Sequence, residues 1–175
     1  MNKLKNTRST LEIVLPNKLR KEFSVELATP LTDIINTCLR QQCFPTLWKK
    51  ELITPVPKIT HPKVLKDLRK ISGTSDFSKV FEGFLKDWIL SDISGNIDVG
   101  QYGGLKGSGT EHMLVGMVDR ILKLLESRET GTAVIAAMVD WASAFDRQDP
   151  TMAIKKFIKL GVRPSLIPIL VSYLS

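Results

Sequence analysis

"AAMVDWASAFDRQDP", Ala136 to Pro150, is the stretch whose reading decides the fold. An apolar run, Ala133 to Val139, leads directly into Asp140, and Asp146 follows after a Phe. An apolar run of this length predicts a strand buried on both faces, although a short run of this kind also suits a piece of buried helix. A carboxylate at the end of such a strand is partly desolvated and has to be neutralised. A hard cation does that with oxygen ligands, and Mg²⁺ is usually held by one or two carboxylates plus substrate phosphates. The other reading of Asp140 is a turn residue whose side chain accepts from nearby backbone. Asp146 and Asp149 stand where helix caps belong.

Working outward, Asp149-Pro150 predicts a helix start, with Asp149 as cap and Pro150 as first residue, and Gly161 predicts its end. Pro164 predicts a last helix, "SLIPILVSYL", with a kink at Pro168. Upstream, "TPLTDIINTCLRQQ" predicts a helix capped by Thr29 and opened by Pro30, with Leu31, Ile34, Ile35, Cys38 and Leu39 on one face. "KELITPVPK" reads as a short strand with Leu52, Thr54 and Val56 on one side. Pro55 and Pro57 cannot donate to a ladder, which makes it an edge or terminal strand. "SDFSKVFEGFLKDWILSDI" is amphipathic: Phe77, Val80, Phe81, Phe84, Leu85, Trp88 and Ile89 form one stripe, capped by Ser75 or Asp76. At helical period this stripe is core rather than a stacking platform for bases. Helices interleaved with few strands predict an α+β or α/β chain.

Two further segments carry candidate chemistry. "KITHPKVLKDLRKIS" holds Lys58, Lys63, Lys66, Arg69 and Lys70 against the single acid Asp67. Its period is poor for helix or strand, so it reads as a mobile basic hairpin or loop suited to gripping phosphates. The bland alternative is a solvated charged face. "GNIDVGQYGGLKGSGTEH" is glycine-rich and ends at a helix start, with capping-box spacing from Ser108 to Glu111. Lys106 precedes Gly107, so the Gly-Lys-Ser/Thr order of nucleotide-triphosphatase loops is not met. An anion-binding turn or a plain flexible turn remains.

Totals agree with this picture. The chain has 175 residues, the size of one domain, and its 43% apolar share is that of a folded protein. The net charge of +7 favours anionic partners. Two cysteines, Cys38 and Cys43, and two histidines, His61 and His112, do not furnish a tetrahedral zinc site from one local cluster; they read as reduced thiols, one packed in a core. No secretory leader and no apolar run of about 20 residues is seen, so the expectation is an intracellular protein with no membrane partner.

Taken in order, Trp48-Lys49, Thr54-Pro55-Val56-Pro57-Lys58, Arg69-Lys70-Ile71-Ser72, Ser78-Lys79-Val80-Phe81-Glu82, Gln101-Tyr102-Gly103, Lys106-Gly107 and "VDWASAFD" form a series. This series resembles the reverse transcriptase domain of non-LTR (LINE-like) retrotransposons. The resemblance runs from about Pro16 to Ser175, leaving residues 1–15 as an N-terminal extension. It implies a partial right-hand polymerase fold, with fingers and the first half of a palm, α+β and helix-rich with few strands. Asp140 would be the first catalytic, metal-binding carboxylate, holding Mg²⁺. Trp141 would lend it a backbone carbonyl, and Phe145 would be the steric gate that favours deoxynucleotides. Arg69, Lys70, Lys58 and Lys63 would hold the incoming dNTP or the template, and Gln101 and Lys106 would line the template path. The implied partners are an RNA template, a DNA primer and dNTP.

The family's Arg-Pro-Ile-Ser has Lys70 in place of Pro. Its Tyr/Phe-x-Asp-Asp and Pro-Gln-Gly segments do not occur; no two aspartates are adjacent in the chain. The expectation is an RNA-directed DNA polymerase fragment, inactive alone because the Asp-Asp motif and the thumb are absent. The alternative is a non-catalytic RNA-binding remnant, and the blandest reading is a helical domain without a ligand.

Overall fold

The computed structural model describes residues 17–126, 133–141, 143, 144 and 146–175. Helices α1 (Asn17–Glu22), α2 (Ser24–Gln41) and α3 (Thr46–Lys49) precede strand β1 (Glu51–Pro57), a 3-10 turn (Leu65–Asp67) and strand β2 (Leu68–Thr74). Helices α4 (Asp76–Ile93), α5 (Thr110–Glu126) and α6 (Pro150–Leu160) follow. A 3-10 turn (Pro164–Leu166) then leads into α7 (Ile167–Leu174). The class is α+β. The described residues form two compact units: one carries the chain up to Ile93 together with Pro150–Ser175, the other Ser94–Asp149.

The first unit is built on the stripes the sequence displays. Helix α2 buries Leu31, Ile35 and Cys38, one face at helical spacing, while Ile34 stays half exposed. The helix begins at Ser24, so Thr29 and Pro30 are interior residues rather than cap and first residue. Pro30 is exposed, and water can satisfy the carbonyl its ring deprives of a partner. At the other end Gln42 adopts left-handed backbone (φ 53°), and its N–H and that of Cys43 return to the carbonyls of Leu39 and Cys38. Cys38 and Cys43 are free thiols; burial pushes the Cys38 thiol up.

An aromatic cluster centres the core. The ring of Phe44, 1% exposed, stacks on Phe81 at 5.2 Å and meets Tyr173 edge-on at 4.8 Å and Trp48 at 6.2 Å. Helix α4 contributes Phe81 and Leu85 from its predicted stripe, whereas Phe84 is half exposed and stacks on Trp88. Helix α7 buries Ile169 and Leu170. Two long-range polar ties close this discontinuous unit. The Phe44 N–H donates to Ser172 Oγ at 2.9 Å. The Arg163 guanidinium and N–H bind the Asp92 carboxylate, with Nε at 2.8 and 3.0 Å from its two oxygens. Arg163 holds the Asp92 carboxyl below its usual range. As predicted, α6 opens at Pro150, and Gly161 follows its end at φ 91°, a conformation glycine adopts freely. Pro168 sits in the first turn of α7, where its missing N–H costs nothing, so the last segment divides into a 3-10 turn and a helix rather than kinking.

The second unit departs most from expectation. Ala133 to Val139 forms no strand: it is irregular, with Ile135, Met138 and Val139 92%, 83% and 77% exposed. An apolar run becomes a buried strand only where neighbours complete its ladder and cover its faces. Among the described residues the sheet consists of β1 and β2 alone. Helix α5 begins at Thr110, and the Gly109 carbonyl accepts the first helical bond from Met113. Gly109 therefore occupies the cap position, and the Ser108–Glu111 capping box is one residue out of register.

Candidate nucleic-acid interface

β1 and β2 form an antiparallel hairpin in the register Glu51↔Thr74 to Pro57↔Leu68. The predicted basic loop is thus partly strand: β2 begins inside it, at Leu68. Alternation hid β2 because both hairpin faces are largely exposed, so no apolar face marks the period. Val56 lies opposite Arg69 and Pro55 opposite Lys70. Neighbours along a strand point to opposite faces, so Arg69 shares one face with Val56, Thr54, Leu52 and Ile71, and Lys70 projects from the other. The two cations grouped by the sequence pattern do not act on one surface.

Lys58 and Lys63 belong to the connecting turn, and both are exposed. The ladder extends one bond past the strands, with the Lys58 N–H donating to the Asp67 carbonyl at 2.7 Å. Lys58 Nζ donates to the Lys66 carbonyl at 2.8 Å. The Asp67 carboxylate accepts from the N–H groups of Lys63 and Val64 at 2.8 and 3.1 Å. Those two amides, with the Lys58 charge assisting, hold the Asp67 carboxyl below its usual range. The single acid of the basic segment is therefore engaged with backbone rather than with a lysine head, and the predicted mobile loop has a defined turn.

In the other unit, the glycine loop is also internally braced. Asp98 Oδ1 accepts from the Gly100 N–H at 2.7 Å, and Gln101 Nε2 donates to the Gly103 carbonyl at 2.8 Å. Gln101, an expected template contact, uses its side-chain amide to hold the loop. Gly104 and Gly107 both have φ of 79°, which explains glycine on either side of the Leu105-Lys106 pair. Lys106 is exposed between them.

Asp140 is exposed, not desolvated at a strand end, and Trp141 is 77% exposed. The reason is the missing ladder around Ala133 to Val139. Phe145, the expected steric gate, lies outside the described residues. Among the described residues, no three His, Cys, Asp or Glu side chains come together as a metal-ligating group. No helix among the described residues is long and apolar enough to cross a membrane.

Sequence reasoning missed the buried polar start of α4. Ser75, Asp76 and Ser78 are all buried. Asp76 pairs with Lys79 at 2.9 Å, and Ser78 Oγ donates to Glu82 Oε1. The Ser75 carbonyl accepts the first helical bond from Lys79, while its hydroxyl makes no cap bond. Within the Ser78–Glu82 series, then, Lys79 and Glu82 brace their own helix. The signal was present as polar residues on an otherwise apolar helix start, but such residues ordinarily read as exposed caps.

The chain is similar to the probable RNA-directed DNA polymerase from transposon X-element of Drosophila melanogaster, with 28% identity over 145 residues. The matched region is 81% of this chain and 16% of that protein, so the chain spans a small part of its relative. No family model matches the chain. No solved structure matches it.

Proposed function

We propose that this chain is a piece of an RNA-directed DNA polymerase of the retrotransposon kind, supplying its fingers and the front of its palm. The observation that carries this reading is the similarity over 81% of the chain to a transposon polymerase. The order of motifs, from the Thr-Pro-Val-Pro-Lys strand to "VDWASAFD", supports it independently of the overall identity. The exposed cations of the β1–β2 hairpin fit an anionic polymer, since Lys and Arg on phosphates supply sequence-independent affinity. On this reading Lys58, Lys63, Arg69 and Lys70 bind nucleic acid or the triphosphate, and Gln101 and Lys106 border the template path. Asp140 would give one carboxylate toward Mg²⁺, which in a polymerase activates the primer hydroxyl and stabilises the leaving pyrophosphate. On this reading the chain's own contribution is binding and orientation.

A second reading, a non-catalytic RNA-binding module, is favoured by the exposure of Asp140 outside any cluster of described metal-ligating residues. One experiment tests both. The purified chain is assayed for extension of an oligo(dT) primer on poly(rA) with Mg²⁺ and dTTP, and for binding of the same template across a salt series. The expected result is no extension, with RNA binding that falls steeply with salt and is unchanged in Asp140→Ala. Extension abolished by Asp140→Ala would establish a catalytic chain and overturn the expected inactivity. Absence of RNA binding at low salt would overturn both readings.

A further inference from the structure

The turn joining β1 to β2 is organised by its one acid. Asp67 engages all three of its polar groups. Its carbonyl accepts from the Lys58 N–H at 2.7 Å, its N–H donates to the Val64 carbonyl at 2.9 Å, and its carboxylate takes the N–H groups of Lys63 and Val64. Lys58 Nζ adds a clasp to the Lys66 carbonyl. One residue thus sets the backbone positions of Lys58, Lys63 and Lys66, all three of them exposed. In a basic segment an acid ordinarily weakens the hold on an anionic polymer by subtracting a charge. Here the carboxylate is directed at amides inside the turn, and its geometric effect opposes its electrostatic one.

We propose that Asp67 is a positioning residue for a nucleic-acid backbone: by fixing the turn, it holds Lys58, Lys63 and Lys66 in a set arrangement for neighbouring phosphates. This rests on the nucleic-acid reading above. A turn without that carboxylate leaves two amides unpaired and samples many conformers, and the ordering then opposes binding. A fixed turn meets the phosphates without that loss.

The test compares Asp67→Ala with Asp67→Asn, using anisotropy of a fluorescein-labelled single-stranded RNA across a salt series. Both variants remove the negative charge, but Asn keeps an oxygen that can accept from the turn amides. Asp67→Ala is expected to bind roughly fivefold or more weakly, with a shallower salt slope because fewer phosphates are engaged together. Asp67→Asn is expected to bind as tightly as the parent or more tightly. Urea unfolding midpoints of both should match the parent, since the turn lies outside the core. Both variants shifting alike, or Asp67→Ala binding like the parent, would overturn the positioning role. A parent with no salt-sensitive affinity would overturn the nucleic-acid reading as well. A parent that binds, and loses binding on Lys63→Ala with Lys66→Ala, keeps that reading intact whatever Asp67 does.

Discussion

Phe44 follows a helix C-cap and precedes a proline, a setting that marks it as a connector residue, yet it is 1% exposed and touches three other aromatic rings. Its replacement by Ala leaves a cavity that helices from both ends of the chain cannot collapse to fill. Phe44→Ala should destabilise the first unit by about 3–5 kcal/mol, read as a lower urea midpoint at unchanged m-value. Gly116 illustrates a subtler constraint. A Cβ there would stand 2.6 Å from Tyr102 Oη, so the glycine admits the tyrosine to the helix surface. Ala is otherwise the better helix residue, by roughly 1 kcal/mol. Gly116→Ala should therefore stabilise clearly in a Tyr102→Ala background and much less, or not at all, with Tyr102 present. A double-mutant cycle by thermal unfolding measures the difference. Asp140 makes the complementary point: its residue type and its neighbours point to chemistry, but its exposure depends on strands that must lie beside it.

At the scale of elements, α4, α6 and the edge strand β1 were legible because each is specified locally. The aromatic stripe of α4, the Asp149-Pro150 start and Gly161 stop of α6, and the prolines of β1 act through nearest neighbours and helical geometry. Helix α2 was legible in its buried face but not in its start, because Pro30 is more often a first-turn residue than an interior one. β2 was illegible because a strand with two exposed faces carries no alternation. Its turn carries a pH signature. The Asp67 carboxyl is lowered by the amides of Lys63 and Val64, so its contribution is complete above the ordinary carboxylate range and is lost as pH falls through its lowered value. The protection of the Lys63 and Val64 amides, measured against their intrinsic exchange rates, should fall on acidification in that range, and should be low and without this pH dependence in Asp67→Ala.

Across the whole molecule, a unit assembled from two separated stretches of chain is closed by contacts between residues far apart in sequence. The Asp92–Arg163 pair joins the end of α4 to the turn before α7. Asp92 is lowered and Arg163 raised by their mutual hydrogen bonds. The Asp92 contribution is therefore present at neutral pH and lost as pH falls below the usual carboxylate range, while Arg163 titrates only in strong alkali. Melting temperature should fall less between pH 6 and about pH 3 in Arg163→Ala than in the parent, because the acid-sensitive pair is already gone. Similarity to a transposon polymerase and the motif order could both be read from the linear chain, as could the helical stripes, the caps at α6 and the excess of cations around Lys58 to Lys70. These are properties of composition and short-range spacing. The tertiary structure alone decided that Arg69 and Lys70 face opposite ways, that Phe44 joins helices far apart in the chain, and that Ala133 to Val139 forms no strand. Each of those outcomes depends on a partner distant in sequence or across a ladder, and local spacing carries no information about whether that partner is there.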